Sequence, residues 1–173
     1  MKGVAYLLLA VVALTGVVVY TAHASGRSDG EADPVFGITI PPGYRDWKLI
    51  SVAHEEGNLN DLRALLGNEV AIKAFREEKL PFPDGTIIAR LAWSYVPSEE
   101  NNKVFGRSQS FVAGPATNVQ FMVKDSKKYA ATGGWGFAQF KGGKPADAAL
   151  LKTCFPCHEP VKAHDFVFTH YAP

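Results

Sequence analysis

Cysteine and methionine are scarce in this chain, two of each in 173 residues. Two thiols only three positions apart cannot supply the spread of crosslinks on which a disulfide scaffold depends, so the fold has to rest on an apolar core. Charge of one sign is missing as well. Lys and Arg total 18 against 17 for Asp and Glu, with no basic run of five or more, which removes the electrostatic footprint of a nucleic-acid binder. There is no internal repeat and no low-complexity stretch. With 47% of its residues apolar, the chain has material for one sizeable core and scarcely for two.

Long hydrophobic runs are absent except at the start. Lys2 precedes an uncharged stretch from Gly3 to Tyr20, and the small residues Ala22 and Ala24 come next. A positive end, an apolar run and small residues fit a secretory signal cut between Ala24 and Ser25. The run is also close to the roughly 20 residues that span a bilayer, so residues 1–24 have a second reading as an uncleaved membrane anchor with Lys2 inside. Both readings place the chain from Ser25 onward outside the cytoplasm, in the periplasm of a bacterium. Residues 25–36 begin with a polar, aperiodic stretch and read as a flexible linker, leaving 37–173 as one domain.

Within that domain, Pro41-Pro42-Gly43 breaks the chain, a helical turn is expected around Tyr44 to Trp47, and Lys48 to His54 reads as a strand. Asn68 is a good N-cap for a helix running to about Glu78, with Val70, Ala71, Ala74 and Phe75 on one stripe and a Glu69–Lys73 pair on its flank. Pro81 to Gly85 turns the chain into a strand from Thr86 to Trp93, whose two faces are both partly apolar and so call for cover on both sides. Residues 94–106 read as a polar connection. Gln109–Ala113 and Val119–Lys124 read as two strands of a hairpin joined through Gly114-Pro115, and Trp135–Phe140 as another strand. A second helix is expected from Pro145 into the cysteines. Hairpin-length links make the sheet mainly antiparallel, so the expected class is α+β: a sheet flanked by two short helices.

The chemistry-bearing motif is Cys154-Phe155-Pro156-Cys157-His158. In a C-x-x-C-H sequence one turn of chain brings two thiols to neighbouring vinyl groups of a haem, and the next imidazole reaches the iron. Zinc would need a second Cys/His pair at suitable spacing, which His54, His164 and His170 do not supply. A thioredoxin-like redox pair should open a helix in a βαβ unit, whereas here a helix precedes it. The reading is therefore one covalent haem c, with Cys154 and Cys157 as its attachment points and His158 as iron ligand. Met122, His54, His164 and His170 are the candidates for the sixth position. If one of them fills it, the protein is a six-coordinate electron-transfer cytochrome; if none does, the haem is open to small ligands.

The motif, with Asp165-Phe166-Val167-Phe168-Thr169-His170-Tyr171 after it, resembles the cytochrome P-460 family, which includes the cytochromes c′-beta. Tyr44-Arg45-Asp46-Trp47, Gly67-Asn68, Phe82-Pro83-Asp84-Gly85-Thr86 and Val123-Lys124-Asp125-Ser126 are similar to the same family's pattern. The resemblance implies a mostly antiparallel domain, commonly a homodimer, with one five-coordinate haem c open on its distal side. It implies small nitrogenous ligands, hydroxylamine and nitric oxide, and a soluble redox partner; one branch oxidises hydroxylamine and carries a lysine bonded to the haem edge. That lysine's position falls on Arg90, whose guanidinium is a poor nucleophile. Arg90 is thus a candidate distal-pocket residue that steadies an anionic ligand, meets a haem propionate or pairs with a carboxylate. Lys73 and Lys79 read as solvated surface lysines. Phe75 and Phe82 are candidates for distal caps or for ordinary core.

Overall fold

The computed structural model describes residues 30–172, so the segment 1–24 expected to act as signal or anchor lies outside the described residues. Among the described residues six strands come in chain order, β1 (Lys48–Glu55), β2 (Asp61–Gly67), β3 (Ile87–Pro97), β4 (Phe111–Lys124), β5 (Trp135–Lys141) and β6 (Lys144–Pro145). They form one antiparallel meander in which each strand pairs with the next. Among the described residues four short α-helices accompany it: α1 (Glu69–Arg76), α2 (Glu99–Phe105), α3 (Ala148–Leu151) and α4 (Cys154–His158). The class is α+β and mainly sheet, as expected, with more helices than the two foreseen. Among the described residues no helix is long and apolar enough to cross a membrane.

Both faces of the sheet are covered, as the two-sided apolar pattern of β3 requires. Ile88, Met122, Trp135 and Phe137 pack on the front face with Ile50 and Leu65, beneath α1 residues Ala71, Ile72, Ala74 and Phe75. Ala89, Leu91, Phe121, Ala138 and Phe140 pack on the back face, under Ile38, Ile40, Tyr44 and Trp47 from the segment before β1. Asn68 seats α1: its Oδ1 accepts from Ala71 N–H at 2.9 Å and Ile87 N–H at 3.1 Å, while its Nδ2 donates to the Gly85 carbonyl at 2.8 Å. Gly67 lets the helix come down, since a Cβ there would lie 2.9 Å from that of Ala71.

Several local expectations are corrected. β2 (DLRALLG), a stretch to which the sequence assigns no element, has the composition of a helix and is drawn into the sheet by β1 and β3. The expected hairpin at 109–124 is one continuous strand, β4. Gly114 and Pro115 sit where the pairing with β3 slips around Ser94, a bulge that absorbs the missing proline N–H. The connection 94–106 contributes the end of β3 and α2. Pro145 ends β6, and Asp147 is the N-cap of α3, accepting from Leu150 N–H at 2.9 Å. Glu69 pairs with Lys48 at 2.8 Å, and Lys73 pairs with Glu77, so the expected Glu69–Lys73 pair does not form.

The linker boundary moves too. Asp33 is buried, and its carboxylate accepts from the N–H groups of Val35, Phe36 and Ile38 at 2.9, 2.7 and 2.6 Å. Residues 33–36 therefore belong to the domain, where the Phe36 ring meets Tyr129 and Phe137, both at 5.8 Å. Asp33→Ala should lower unfolding stability by about 2 kcal/mol, because three N–H groups lose a charged acceptor. Urea denaturation of the variant, beside a chain truncated to begin at residue 37, measures this; an unchanged midpoint in both would contradict it.

Candidate functional site

α4 carries the C-x-x-C-H motif against the front face. Leu151, fully buried in α3, anchors its N-terminal approach, and Cys157 N–H bonds back to Thr153 at 3.3 Å. Cys154 is half-buried, Cys157 is exposed, and both are free thiols. Burial pushes the Cys154 thiol pKa up, and the nearby Cys157 and Asp33 push it the same way.

His158 lies with its ring 5.0 Å from that of Phe137 on β5 and 5.1 Å from that of Phe168. Its Nδ1 is 2.7 Å from the Phe166 carbonyl oxygen. A carbonyl can only accept, so Nδ1 carries a hydrogen, and in the neutral ring the lone pair is then on Nε2. Burial holds the His158 pKa below its ordinary value, against the opposing pull of that hydrogen bond. Burial thus favours the neutral imidazole and the hydrogen bond favours its hydrogen on Nδ1, the state a metal ligand needs.

Further along the same face runs a polar row. Arg90 on β3 donates through NH2 to Asp61 at 2.5 Å and through NH1 to Asn118 and Gln120, both at 3.1 Å. Arg63 reaches the same Asp61 at 2.8 Å and Glu55 at 3.1 Å. Because guanidinium has only donors, Gln120 must present its oxygen to Arg90; its Nε2 then donates to Gln139 Oε1 at 2.6 Å. Gln139 is two residues from Phe137 on β5, so the row ends beside the aromatic ring that touches His158. Burial, then the Arg63 charge, lowers the Arg90 pKa, with Asp61 as the principal opposing charge. Arg90 Nε is buried with no partner among the described residues.

Of the roles open to Arg90, the structure shows the pairing with a carboxylate. The other candidates are placed as follows. Met122 packs against the front core, and His54 stacks on Tyr95 at 3.9 Å. His164 and His170 contact each other at 5.7 Å and line a cavity of about 540 Å³ with Arg76, Lys79, Phe75 and Phe82. Phe75 and Phe82 are core residues, 4.9 Å apart, with Phe82 also against Trp135 at 5.8 Å. Lys73 and Lys79 are exposed, as expected. Among the described residues no group of three or more His, Cys, Asp or Glu is placed to hold a metal ion. Sequence reasoning missed Asp61, Gln120 and Gln139; alternation along β4 would have set Gln120 on the face of Arg90, had the register been known.

A family model described as Cytochrome P460 matches residues 41–169, most of the chain. The chain belongs to the cytochrome P460 family. No curated protein matches it. Membership makes this a c-type haem protein with covalently bound haem, and the donor set fits: two adjacent free thiols, and an imidazole whose Nδ1–H is held by a backbone acceptor.

Within this P460 domain the Asp61 carboxyl is only 4% exposed and meets two guanidinium groups. Asp61→Ala should cost about 3–5 kcal/mol by leaving buried charge unpaired. Adding Arg90→Met should recover part of that loss; chemical denaturation of the single and double variants gives the comparison, and a double variant no more stable than the single would count against the pairing.

Proposed function

We propose that Cys154 and Cys157 carry haem c as thioethers, that His158 binds its iron through Nε2, and that the other side of the haem is open to small nitrogenous ligands such as hydroxylamine and nitric oxide. The observation that carries this reading is the bond from His158 Nδ1 to the Phe166 carbonyl, which presents Nε2 alone for ligation. When bound, the haem supplies an iron that takes up a small ligand and exchanges electrons with it or with a redox partner.

The chain's own groups support an open site. His54, His164 and His170 stack on or contact other rings, and Met122 packs in the front core. Arg90, at the position that the family resemblance gives to the cross-linking lysine, is a guanidinium held by Asp61, Asn118 and Gln120. It offers no nucleophile for a haem bond, which favours binding by an uncross-linked haem over the hydroxylamine-oxidising branch. The Arg90–Gln120–Gln139 row is fixed before any ligand arrives, and its Gln139 end supplies a neutral N–H donor on the front face. The N-terminal segment is read as delivering the domain to the periplasm, where a soluble partner would exchange electrons with it and a second copy would complete a homodimer.

Expressed with a cytochrome c maturation apparatus, the protein should gain the mass of one haem, and Cys157→Ala should lose one of its two thioether attachments. The reduced protein should show a broad high-spin spectrum that shifts with carbon monoxide or nitric oxide. Sharp low-spin bands indifferent to carbon monoxide would instead establish a six-coordinate electron carrier. A strongly red-shifted Soret band would reveal a cross-link.

A further inference from the structure

The turn that carries the Phe166 carbonyl departs from the usual residue choice. The segment after α4 is a 3-10 turn, Glu159–His164, closed by Asp165 N–H to Lys162 O at 3.0 Å and Phe166 N–H to Val161 O at 3.1 Å. This pair of bonds is the Schellman closure, which needs a left-handed residue, and glycine takes that conformation most readily. Here Asp165 adopts it, at φ 52° and ψ 43°, and Phe166 comes next at φ 66°. Two successive residues with side chains at positive φ persist only where their surroundings hold them.

The holding groups can be named. Both Asp165 oxygens lie within reach of Lys124 Nζ, at 2.8 and 2.9 Å, and Oδ2 also accepts the Phe82 N–H at 2.9 Å. Lys124, at the end of β4, is buried too; its ammonium donates to the Gly133 carbonyl at 3.1 Å and lies 4.9 Å from the centre of the Trp135 ring. Gly133 in turn backs Phe166, since a Cβ there would come within 2.3 Å of that ring. A charged pair this deep is costly unless every bond is made. A glycine at 165 would ease the turn and forfeit the pair.

We propose that Lys124 and Asp165 are positioning residues for the iron ligand: the buried pair fixes the Asp165–Phe166 turn, and the turn fixes the carbonyl that orients His158 and sets its donor strength. The inference rests on His158 being the axial ligand. An imidazole whose Nδ1–H is hydrogen-bonded gives more electron density through Nε2 than one whose N–H is free, which strengthens the bond to iron and favours the ferric state. Loosening the turn therefore weakens that bond and raises the reduction potential.

The test uses the full haem-loaded protein and two variants that disturb the turn by different routes. Asp165→Asn keeps a residue that tolerates the left-handed region and an oxygen for the Phe82 N–H, but removes the charge that Lys124 needs. Gly133→Ala leaves both charges in place and pushes on the Phe166 ring. Resonance Raman of the ferrous protein reads the iron–histidine stretch, and redox titration reads the potential. Both variants should keep their haem while the stretch falls and the potential rises. If either folds, keeps its haem and shows the parent stretch and potential with only a lower melting temperature, the pair is merely structural and the proposal fails. A parent protein without an iron–imidazole band, or with one that survives His158→Gly, overturns the ligand assignment itself, and so is distinguishable from failure of the positioning role.

Discussion

A neutral imidazole has one N–H and one lone pair, and whichever nitrogen finds an acceptor decides what the other can do. In this chain the acceptor is a carbonyl eight residues beyond the histidine, so the lone pair is directed by backbone that lies outside the motif. The cysteines and His158 sit on a five-residue helix that could not hold a ring by itself. Phe137 and Phe168 confine the ring, and the Phe166 oxygen fixes its rotation and its tautomer. The constraint therefore passes from the sheet to the segment after the motif and back to the side chain, rather than along α4.

The front face divides into regions of different physical character. Under α1 it is apolar, closed by Ile50, Leu65, Ile88 and Trp135. Toward the far ends of β2, β3 and β4 it becomes a lattice of charges and amides centred on Asp61 and Arg90. Buried charge is tolerated in such a place only when each ion has several partners, and both Asp61 and Asp165 meet that condition. The Asp61 lattice ends in neutral amides, which spares the region near His158 an unpaired charge. The Asp165 pair does the opposite work of tying loop to strand.

The candidate site could be proposed from the residues alone, because C-x-x-C-H is a spacing imposed by chemistry and not by the surrounding fold. The two-faced strand at 86–93, the Asn68 cap and the antiparallel class were equally legible, each being a local pattern with a local cause. What escaped was decided by distant partners. Asp-Leu-Arg-Ala-Leu-Leu-Gly has nothing strand-like about it until β1 and β3 lie on either side. Pro115 looks like a turn until a bulge opposite Ser94 takes it in. Arg90 could be recognised as unusual but not as paired, since Asp61 is 29 residues away and comes within reach only once β2 lies beside β3. Asp33 reads as tether until its carboxylate is seen to gather three amides.

The meander has a consequence for the order in which the molecule can be assembled. Every strand finds its neighbour through a connection made by the next stretch of chain, with no crossover to wait for. The C-terminus then returns across the molecule, where Ala172 N–H bonds to the Ile50 carbonyl on the first strand. Among the described residues, none of the ladders reaches beyond Pro145. The two thiols thus belong to a closing strap rather than to the frame, and a pigment can be riveted to that strap without any strand giving up its partner.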